Sequence, residues 1–308
     1  MKICFIFSGQ GAQYNNMGKE LYDNFDICKE VFENANKALG LNITDICFNE
    51  DERLNETEYT QPAILTMSYA IFKLMEQKGI KADYMAGLSL GEYSALCASG
   101  AMDFEETVSL VRKRGKFMTE AVPSGVGAMS AVMNMEEEVI KEALKEASTE
   151  TELAMIANYN APGQIVIAGH LQAIERAEKI LAEKGAKRVI RLNVSGPFHT
   201  SLLKPASEKL ETELNNISIN EPKVPVITNL TGDIVSNIKE TLVKQVMSPV
   251  KWEQSIKKII ENGVDTFIEL GPGKTLSSFV KKIDRSVNVY NVEDLASLEK
   301  TCKGIGIE

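Results

Sequence analysis

Gly87-Leu88-Ser89-Leu90-Gly91 follows an apolar run of strand type and precedes an apolar run of helix type. A Gly-x-Ser-x-Gly sequence between a strand and a helix predicts a sharp turn that exposes the serine hydroxyl and aims the next amide at a developing oxyanion. The flanking glycines let backbone segments cross closely. By chance the bare pattern arises in roughly one chain in ten of this length, so its context has to carry the assignment.

The segments around this turn predict an α/β fold with a parallel sheet. Short apolar runs alternate with helical segments, which is typical of strands buried on both faces. Residues 60–79 predict a helix buried on several sides, with Thr60 as its cap, Pro62 in its first turn and Gly79 at its end. The predicted strands of this sheet are 3–7, 85–88, 225–229 and 266–270.

The middle of the chain predicts a second, smaller unit. From about residue 127 to 194 the pattern runs strand, helix, strand, strand, helix, strand, which is the order of a split, ferredoxin-like βαββαβ unit. Pro123-Ser124-Gly125 supplies a hinge where the chain enters it. We therefore expect a discontinuous α/β-hydrolase-like catalytic domain, residues 1–124 and 197–308, with an inserted ferredoxin-like small domain, residues 125–196. The elements predicted for the small domain are strands 128–133, 153–159, 164–168 and 188–192 and helices 136–147 and 171–184.

Composition restricts the class of protein. The chain has 308 residues, of which 44% are hydrophobic and 25% are charged, a balance typical of a soluble globular protein of about two domains. A formal charge of -9 argues against a dedicated nucleic-acid binder, and no apolar run approaches the roughly 18 residues of a membrane span. The apolar N-terminus is too short for a signal peptide, and the five cysteines are odd in number and scattered. We therefore expect reduced thiols and a cytoplasmic location.

Four short basic clusters stand out against the acidic balance. Together they could attract an acidic protein partner, although a solvated helix face is the more ordinary explanation of each one. The clusters are Arg112-Lys113-Arg114, Lys187-Arg188, Lys257-Lys258 and Lys281-Lys282.

Two histidines are available to serve Ser89, because a serine hydroxyl needs a base within hydrogen-bond reach to act as a nucleophile at neutral pH. His170 follows a predicted strand of the small unit, so we expect it to be a loop or cap residue. His199 lies in the turn Ser195-Gly196-Pro197-Phe198-His199-Thr200, which opens onto a helix of the main domain, and is the better candidate. On spacing alone, a purely structural histidine remains an equal alternative.

Seven short motifs occur in order along nearly the whole chain. They are Phe7-Ser8-Gly9-Gln10-Gly11-Ala12-Gln13, Tyr59-Thr60-Gln61-Pro62-Ala63, Gly87-Leu88-Ser89-Leu90-Gly91-Glu92-Tyr93-Ser94-Ala95, Arg114-Gly115-Lys116-Phe117-Met118, Phe198-His199, Ser248-Pro249-Val250-Lys251-Trp252 and Glu269-Leu270-Gly271-Pro272-Gly273. Together they resemble the malonyl-CoA:acyl carrier protein transacylases and the related acyltransferase domains of polyketide and fatty acid synthases. Seven ordered matches are far more specific than one serine turn.

This resemblance implies a role for each matching residue. Ser89 would be the nucleophile that accepts the acyl group, and His199 the general base. The backbone amides of Gln10 and Leu90 would form the oxyanion hole. Gln245 matches the position whose backbone carbonyl orients the base, in place of the aspartate of a conventional triad.

The resemblance also implies that Arg114 binds the free carboxylate of a malonyl group. A planar guanidinium can meet a carboxylate through two parallel hydrogen bonds, and this contact would select malonyl over acetyl. On the predicted helix 103–121, Arg114 lies about 60° from Val111 of the inward stripe, and Arg112, at about 100°, competes for the role. Without the motif, a surface position would be the ordinary interpretation of Arg114. The inward stripe consists of Phe104, Val108, Val111, Gly115 and Met118.

Three positions bear on the acyl group that would be accepted. Leu88 stands where the family usually has histidine, and Ser8 where proline is frequent. Because the nucleophile, the base and the arginine remain, we expect altered polarity of the acyl site and retained activity. Phe198 resembles the bulky residue by which malonyl-selective domains exclude an α-methyl branch, which disfavours methylmalonyl.

The resemblance implies a ping-pong transfer through a serine ester, from malonyl-CoA to the phosphopantetheine thiol of acyl carrier protein in fatty acid biosynthesis. No metal or redox cofactor, no nucleic acid and no membrane is implied, and we expect a monomer. A discrete acyltransferase of a polyketide synthase would use the same residues. Two alternatives belong to other functional classes: a serine hydrolase, and a catalytically silent module that only binds the carrier protein.

Overall fold

A parallel and an antiparallel β-sheet organise the part of the chain that the computed structural model describes, residues 1–194 and 196–307. Ser195, inside the expected small domain, and Glu308, at the end of the expected catalytic domain, lie outside these residues. The strands are β1 (Ile3–Phe7), β2 (Tyr84–Gly87), β3 (Gly127–Met133), β4 (Ala154–Ala161), β5 (Gln164–His170), β6 (Arg188–Arg191), β7 (Val226–Ile227), β8 (Thr266–Leu270) and β9 (Asn288–Val292).

Helices cover both sheets. They are α1 (Lys19–Asn24), α2 (Asp26–Leu39), α3 (Ile43–Phe48), α4 (Thr57–Gln77), α5 (Leu90–Ala98), α6 (Phe104–Ala121), α7 (Glu137–Ala147), α8 (Leu171–Glu183), α9 (Lys204–Asn215), α10 (Ile238–Gln245), α11 (Trp252–Glu261), α12 (Thr275–Ile283) and α13 (Leu295–Gly304). Across the described residues, no helix combines the length and the apolar composition that a bilayer span requires.

The parallel sheet has the strand order β7-β2-β1-β8-β9, which confirms the expected α/β fold. All residues of β1 and β8 are buried, because helices cover both faces of these central strands. Phe7, at the end of β1, pairs with Gly87 of β2 and with Leu270 of β8. The three strands therefore end side by side, and the loops that follow them meet at one edge of the sheet, where ligand sites of parallel sheets form.

Several expectations for this sheet and for the helix at 60–79 need correction. The strand expected at 225–229 is only Val226–Ile227, and the edge strand Asn288–Val292 was not predicted, because its alternating polar residues lack the apolar run of a buried strand. The helix expected at 60–79 begins at Thr57 and ends at Gln77. Thr60 does not cap it, since its hydroxyl donates to the carbonyls of Leu54 and Glu56, and Pro62 lies in its second turn.

The antiparallel sheet has the strand order β4-β5-β3-β6, and its elements follow along the chain as strand, helix, strand, strand, helix, strand. One face packs against α7 and α8 around a separate apolar core. The other face contributes Met129, Ala131 and Val166 to the large core of the parallel-sheet region. Backbone hydrogen bonds of Val250 with Ala157 (2.8 Å) and Tyr159 (2.9 Å) add a second link between β4 and the segment before α11. The antiparallel sheet is therefore attached to the rest of the protein by packing and by backbone hydrogen bonds.

Candidate active site

Ser89 sits at the tip of a strained turn between β2 and α5. Its backbone has φ 55° and ψ -103°, a conformation that non-glycine residues rarely adopt. The neighbouring glycines are required by close contacts: a Cβ on Gly87 would lie 1.9 Å from the Gly91 carbonyl oxygen, and one on Gly91 would lie 2.1 Å from the Phe7 carbonyl oxygen. The turn therefore fixes the serine hydroxyl at the edge where β1, β2 and β8 end.

His199 is within hydrogen-bond distance of this serine. Its Nε2 lies 2.8 Å from Ser89 Oγ, and its Nδ1 lies 3.0 Å from the backbone carbonyl oxygen of Gln245. Because a carbonyl oxygen can only accept, Nδ1 carries the proton and the Nε2 lone pair faces the hydroxyl. Burial, reinforced by the charge of Arg114, lowers the pKa of His199 to about 4, so the imidazole is neutral at neutral pH.

Arg114 reaches the same point from α6. Its side chain is 1% exposed, and its Nη2 donates to Ser89 Oγ (3.2 Å) and to Gln245 Oε1 (3.1 Å). Nη1 donates to Gln61 Oε1 (2.8 Å), and the guanidinium carbon lies 5.2 Å from the ring centroid of Tyr93. In residues 1–194 and 196–307, Arg114 forms no ion pair and its Nε has no hydrogen-bond partner. The charge of this buried guanidinium is therefore not neutralised by an ion pair within the described residues.

The competitor on the same helix points elsewhere. Arg112 pairs with Glu58 at 3.0 Å, and Lys113 pairs with Glu213 at 2.7 Å. The predicted inward stripe of α6 is buried, and Arg114 is buried with it. The cluster Arg112-Lys113-Arg114 is therefore no continuous basic face, because its three side chains enter three different surroundings.

The two predicted oxyanion-hole amides belong to segments that flank the serine. Leu90 is the first residue of α5, immediately after Ser89, and Gln10 lies in the loop that follows β1. Gly9 of that loop touches the serine turn, since a Cβ there would lie 2.5 Å from the Leu88 carbonyl oxygen. Within the described chain, neither the Gln10 nor the Leu90 backbone N–H donates to a protein acceptor. Neither amide is therefore occupied by an acceptor within the described residues.

The sequence interpretation missed Asn229, which holds the serine turn from the side of β7. Its Oδ1 accepts from the Ser89 backbone N–H at 2.6 Å, and its Nδ2 donates to the Gly87 carbonyl at 2.7 Å. A polar residue just beyond a short apolar strand of a parallel sheet was the available signal. Gln61, Glu92 and Tyr93 were also missed as site residues, although all three lie inside quoted motifs.

The remaining candidates lie outside this constellation or border it. His170 is the N-cap residue of α8, where its Nδ1 accepts from the Leu153 backbone N–H at 3.0 Å, as expected of a structural histidine. Phe198 is buried directly beside the base. Ser8, where the family often has proline, donates to the Pro272 carbonyl at 3.0 Å and so ties the loop after β1 to the loop after β8. Leu88 packs with the apolar core below the turn.

Comparison with known proteins gives consistent matches over almost the whole chain. A family model described as an acyl transferase domain matches residues 4–304. A malonyl CoA-acyl carrier protein transacylase of Bacillus subtilis (strain 168) is 47% identical over 302 residues, which cover 97% of this chain and 95% of that protein. The crystal structure of a malonyl CoA-acyl carrier protein transacylase from Clostridium perfringens is 52% identical, with a TM-score of 0.96 and coverage of 99% of this chain and 98% of that one. A malonyl-transacylase solved in complex with the acyl-carrier protein of a type II polyketide synthase is 38% identical, with a TM-score of 0.96 and coverage of 99% and 100%.

Proposed function

The chain belongs to the acyl transferase domain family, and on that premise we propose that it transfers a malonyl group from malonyl-CoA to the phosphopantetheine thiol of an acyl carrier protein. The observation that carries this proposal is one contact set: Ser89 Oγ lies 2.8 Å from His199 Nε2 and 3.2 Å from Arg114 Nη2. A nucleophile, its base and a buried cation that can bind a carboxylate thus lie within hydrogen-bond distance of one atom, Ser89 Oγ. The names of the relatives support malonyl as the acyl group.

In the first half-reaction, Ser89 Oγ attacks the thioester carbonyl of malonyl-CoA while His199 Nε2 takes the hydroxyl proton. The carbonyl oxygen becomes an oxyanion, which accepts hydrogen bonds from the free amides of Gln10 and Leu90. The carbon–sulfur bond then breaks, CoA leaves with the proton from His199, and the malonyl group remains as an ester of Ser89. Loss of one such amide donor typically raises the barrier by about 2.7 to 4 kcal/mol.

In the second half-reaction, His199 takes the proton of the carrier protein thiol, and the sulfur attacks the ester carbonyl of Ser89. Collapse of the intermediate forms malonyl thioester on the carrier and returns the proton to Ser89 Oγ. The Gln245 backbone carbonyl keeps the Nδ1–H tautomer of His199 through both steps, so that no acidic third residue is needed.

Selection of malonyl is assigned to Arg114. Its Nη2 lies 3.2 Å from Ser89 Oγ, and a guanidinium beside the nucleophile can bind a carboxylate through two parallel hydrogen bonds. Phe198, packed beside the base, disfavours an α-methyl branch. Methylmalonyl is therefore the poorer substrate.

We assign residues 1–124 and 197–308 to an α/β-hydrolase-like catalytic domain and residues 125–196 to a ferredoxin-like small domain. Both thiol carriers approach through the groove between the two sheets. The strand order β4-β5-β3-β6 supports the ferredoxin-like assignment. The reaction requires no metal or redox cofactor, and we expect a cytoplasmic monomer.

The source of the carrier protein has a second candidate. The likeness to a malonyl-transacylase in complex with a polyketide synthase carrier supports a discrete acyltransferase of a polyketide pathway, with the same residues in the same roles. A serine hydrolase is disfavoured, because hydrolysis has no use for a buried arginine beside the nucleophile.

Intact-mass analysis of the protein incubated with malonyl-CoA tests the proposal. We expect one malonyl adduct on the wild type and none on Ser89→Ala. Ser94→Ala is the matched control: it removes a buried hydroxyl of α5, the helix that follows Ser89. The Ser94 Oγ has no partner in the described residues, and this variant should keep the adduct. An adduct on Ser89→Ala would end the assignment of the nucleophile.

Addition of purified carrier proteins from fatty acid and polyketide pathways then separates the candidates. Transfer to one carrier class identifies the pathway. Release of the malonyl group to water faster than to either carrier would favour a hydrolase.

A further inference from the structure

Glu92 is a buried carboxylate that the reaction described above does not use. It lies in the first turn of α5, three residues after Ser89, and is 0% exposed. Its Oε1 has no hydrogen-bond partner among residues 1–194 and 196–307. An unpaired buried acceptor costs about 1 to 3 kcal/mol, so stability alone does not explain an acid at this position.

One oxygen of Glu92 controls the side-chain amide of Gln245. Oε2 accepts from Gln245 Nε2 at 3.0 Å, while Gln245 Oε1 accepts from Arg114 Nη2 at 3.1 Å. A guanidinium only donates, so the amide oxygen must face Arg114, and the amide nitrogen then faces Glu92, whose Oε2 accepts. The same Nε2 also donates to the Ser89 carbonyl at 2.9 Å. The orientation of one amide thus links the acid, the cation and the nucleophile.

The same oxygen of Glu92 also anchors Asn229. Oε2 accepts from the Asn229 backbone N–H at 2.9 Å, and the Asn229 side chain in turn holds the Ser89 N–H and the Gly87 carbonyl. The strained turn is therefore fixed by two links that begin at one atom. Burial raises the pKa of Glu92 to about 7, while the Asn229 and Gln245 donors and the charge of Arg114 oppose the rise.

We propose that Glu92 is a positioning residue, whose carboxylate sets the geometry of Ser89 through Asn229 and that of Arg114 through Gln245. This inference rests on the proposed function. It adds that the preference for a carboxylate-bearing acyl group depends on a residue that never touches the substrate.

The test compares Glu92→Leu with Glu92→Gln in the full chain. Leucine removes both accepted hydrogen bonds at similar volume, whereas the glutamine oxygen can accept both. The measurement is the rate constant of Ser89 acylation by malonyl-CoA and by acetyl-CoA. We expect Glu92→Leu to lower the malonyl-over-acetyl ratio by about tenfold or more, and Glu92→Gln to keep it within about threefold. Simple loss of folded protein would lower both rates and leave the ratio unchanged.

Gln245→Ala examines the same link from its other end and serves if Glu92→Leu does not fold. It removes the side-chain amide but keeps the backbone carbonyl that orients His199. We expect the malonyl-over-acetyl ratio to fall as in Glu92→Leu. It should fall no further when both substitutions are combined, because each interrupts the same hydrogen-bond chain from Glu92 through Gln245 to Arg114. An unchanged ratio in Gln245→Ala would overturn the proposal.

Glu269→Gln is the matched control. Glu269 is equally buried and accepts from the backbone N–H groups of Leu276 (3.1 Å) and Ser277 (2.7 Å), with no hydrogen bond to Ser89, His199 or Arg114 in the described residues. We expect lower stability and an unchanged ratio. The proposal would be wrong if Glu269→Gln lowered the malonyl-over-acetyl ratio as much as Glu92→Leu does. It would also be wrong if Glu92→Gln lowered that ratio as much as Glu92→Leu, since the glutamine oxygen can still accept both hydrogen bonds.

Failure of this inference differs from failure of the proposed function. If the wild type is not acylated by malonyl-CoA, the proposed function is wrong. If the wild type prefers malonyl-CoA and Glu92→Leu keeps that preference, only the role of Glu92 is wrong.

Discussion

Replacement of Arg114 examines the acyl-group selection most directly. Arg114→Ala removes the buried guanidinium, and Arg114→Lys keeps the charge but loses the planar fork. In the structure this fork faces the reaction centre through Nη2, 3.2 Å from Ser89 Oγ. We expect both variants to lose malonyl preference, alanine more than lysine.

The magnitude follows from the hydrogen bonds that the substrate carboxylate would lose. One charge-assisted hydrogen bond is worth about 1.5 to 3 kcal/mol, which is roughly a ten- to hundredfold change in kcat/KM. Arg114→Ala should therefore lower kcat/KM for malonyl-CoA relative to acetyl-CoA by at least about tenfold, with about ten-thousandfold as the limit for two lost bonds. Arg114→Lys, which can keep one bond, should fall between alanine and the wild type.

The assay measures acylation of Ser89 by malonyl-CoA and by acetyl-CoA, with thermal unfolding followed on the same samples. Unfolding has to be checked, because Arg114→Ala leaves the side-chain oxygens of Gln61 and Gln245 without their donor, at about 1 to 3 kcal/mol each. Arg112→Ala is the control on the same helix. It breaks a partly exposed ion pair with Glu58, a hydrogen bond to the Leu39 carbonyl (3.3 Å) and a contact with the Tyr59 ring. None of these contacts involves Ser89 or His199, so the substrate preference should not change.

Two results would refute this reasoning. Equal losses with malonyl-CoA and acetyl-CoA in folded Arg114→Ala would mean that another residue holds the carboxylate. A loss of preference in Arg112→Ala as large as that in Arg114→Ala would mean that the general positive charge of α6, and not the buried guanidinium, selects the substrate.

Two further predictions concern His199 and Gly91. Because the folded-state pKa of His199 (about 4) lies below the unfolded value of about 6.5, protons bind the unfolded chain first, so stability is complete above pH 6.5 and is lost as the pH falls toward 4. We expect the unfolding free energy, measured by denaturant titration, to fall between pH 7 and pH 5 by about 2 kcal/mol more in the wild type than in His199→Gln. An equal fall in both proteins would contradict the lowered pKa of His199. Gly91→Ala should prevent Ser89 acylation, since its Cβ would lie 2.1 Å from the Phe7 carbonyl oxygen. Gly40→Ala is the control, because a Cβ there meets nothing within 4 Å, and it should only lower stability. Intact-mass analysis of both variants is the measurement, and an acylated Gly91→Ala would show that the close contact of Gly91 with Phe7 is dispensable.

Local pattern was enough to predict several parts of the fold. The apolar runs of β1 and β8 were predicted with their observed bounds, and the predicted inward stripe of α6 is buried. The burial of Arg114 beside that stripe was expected only from the family motif, since helix periodicity alone favoured a surface position. The ends of α4 and the length of β7 were wrong. Thr60 and Pro62 fit a helix start by residue type, but the preceding turn extends the helix to Thr57, and that extension depends on packing that a local pattern does not contain.

The sequence by itself determined the serine turn, because Gly-x-Ser-x-Gly between a strand and a helix restricts the backbone locally. Only the tertiary structure decided what surrounds the serine. His199 is 110 residues away along the chain, and the Gln245 amide that holds the Ser89 carbonyl is 156 residues away. Periodicity reports which face of an element is buried, whereas a hydrogen bond requires two particular atoms to meet within about 3 Å. That meeting follows from strand order and register, so the hydrogen bonds that join Asn229 and Glu92 to the serine turn were found only in the folded chain.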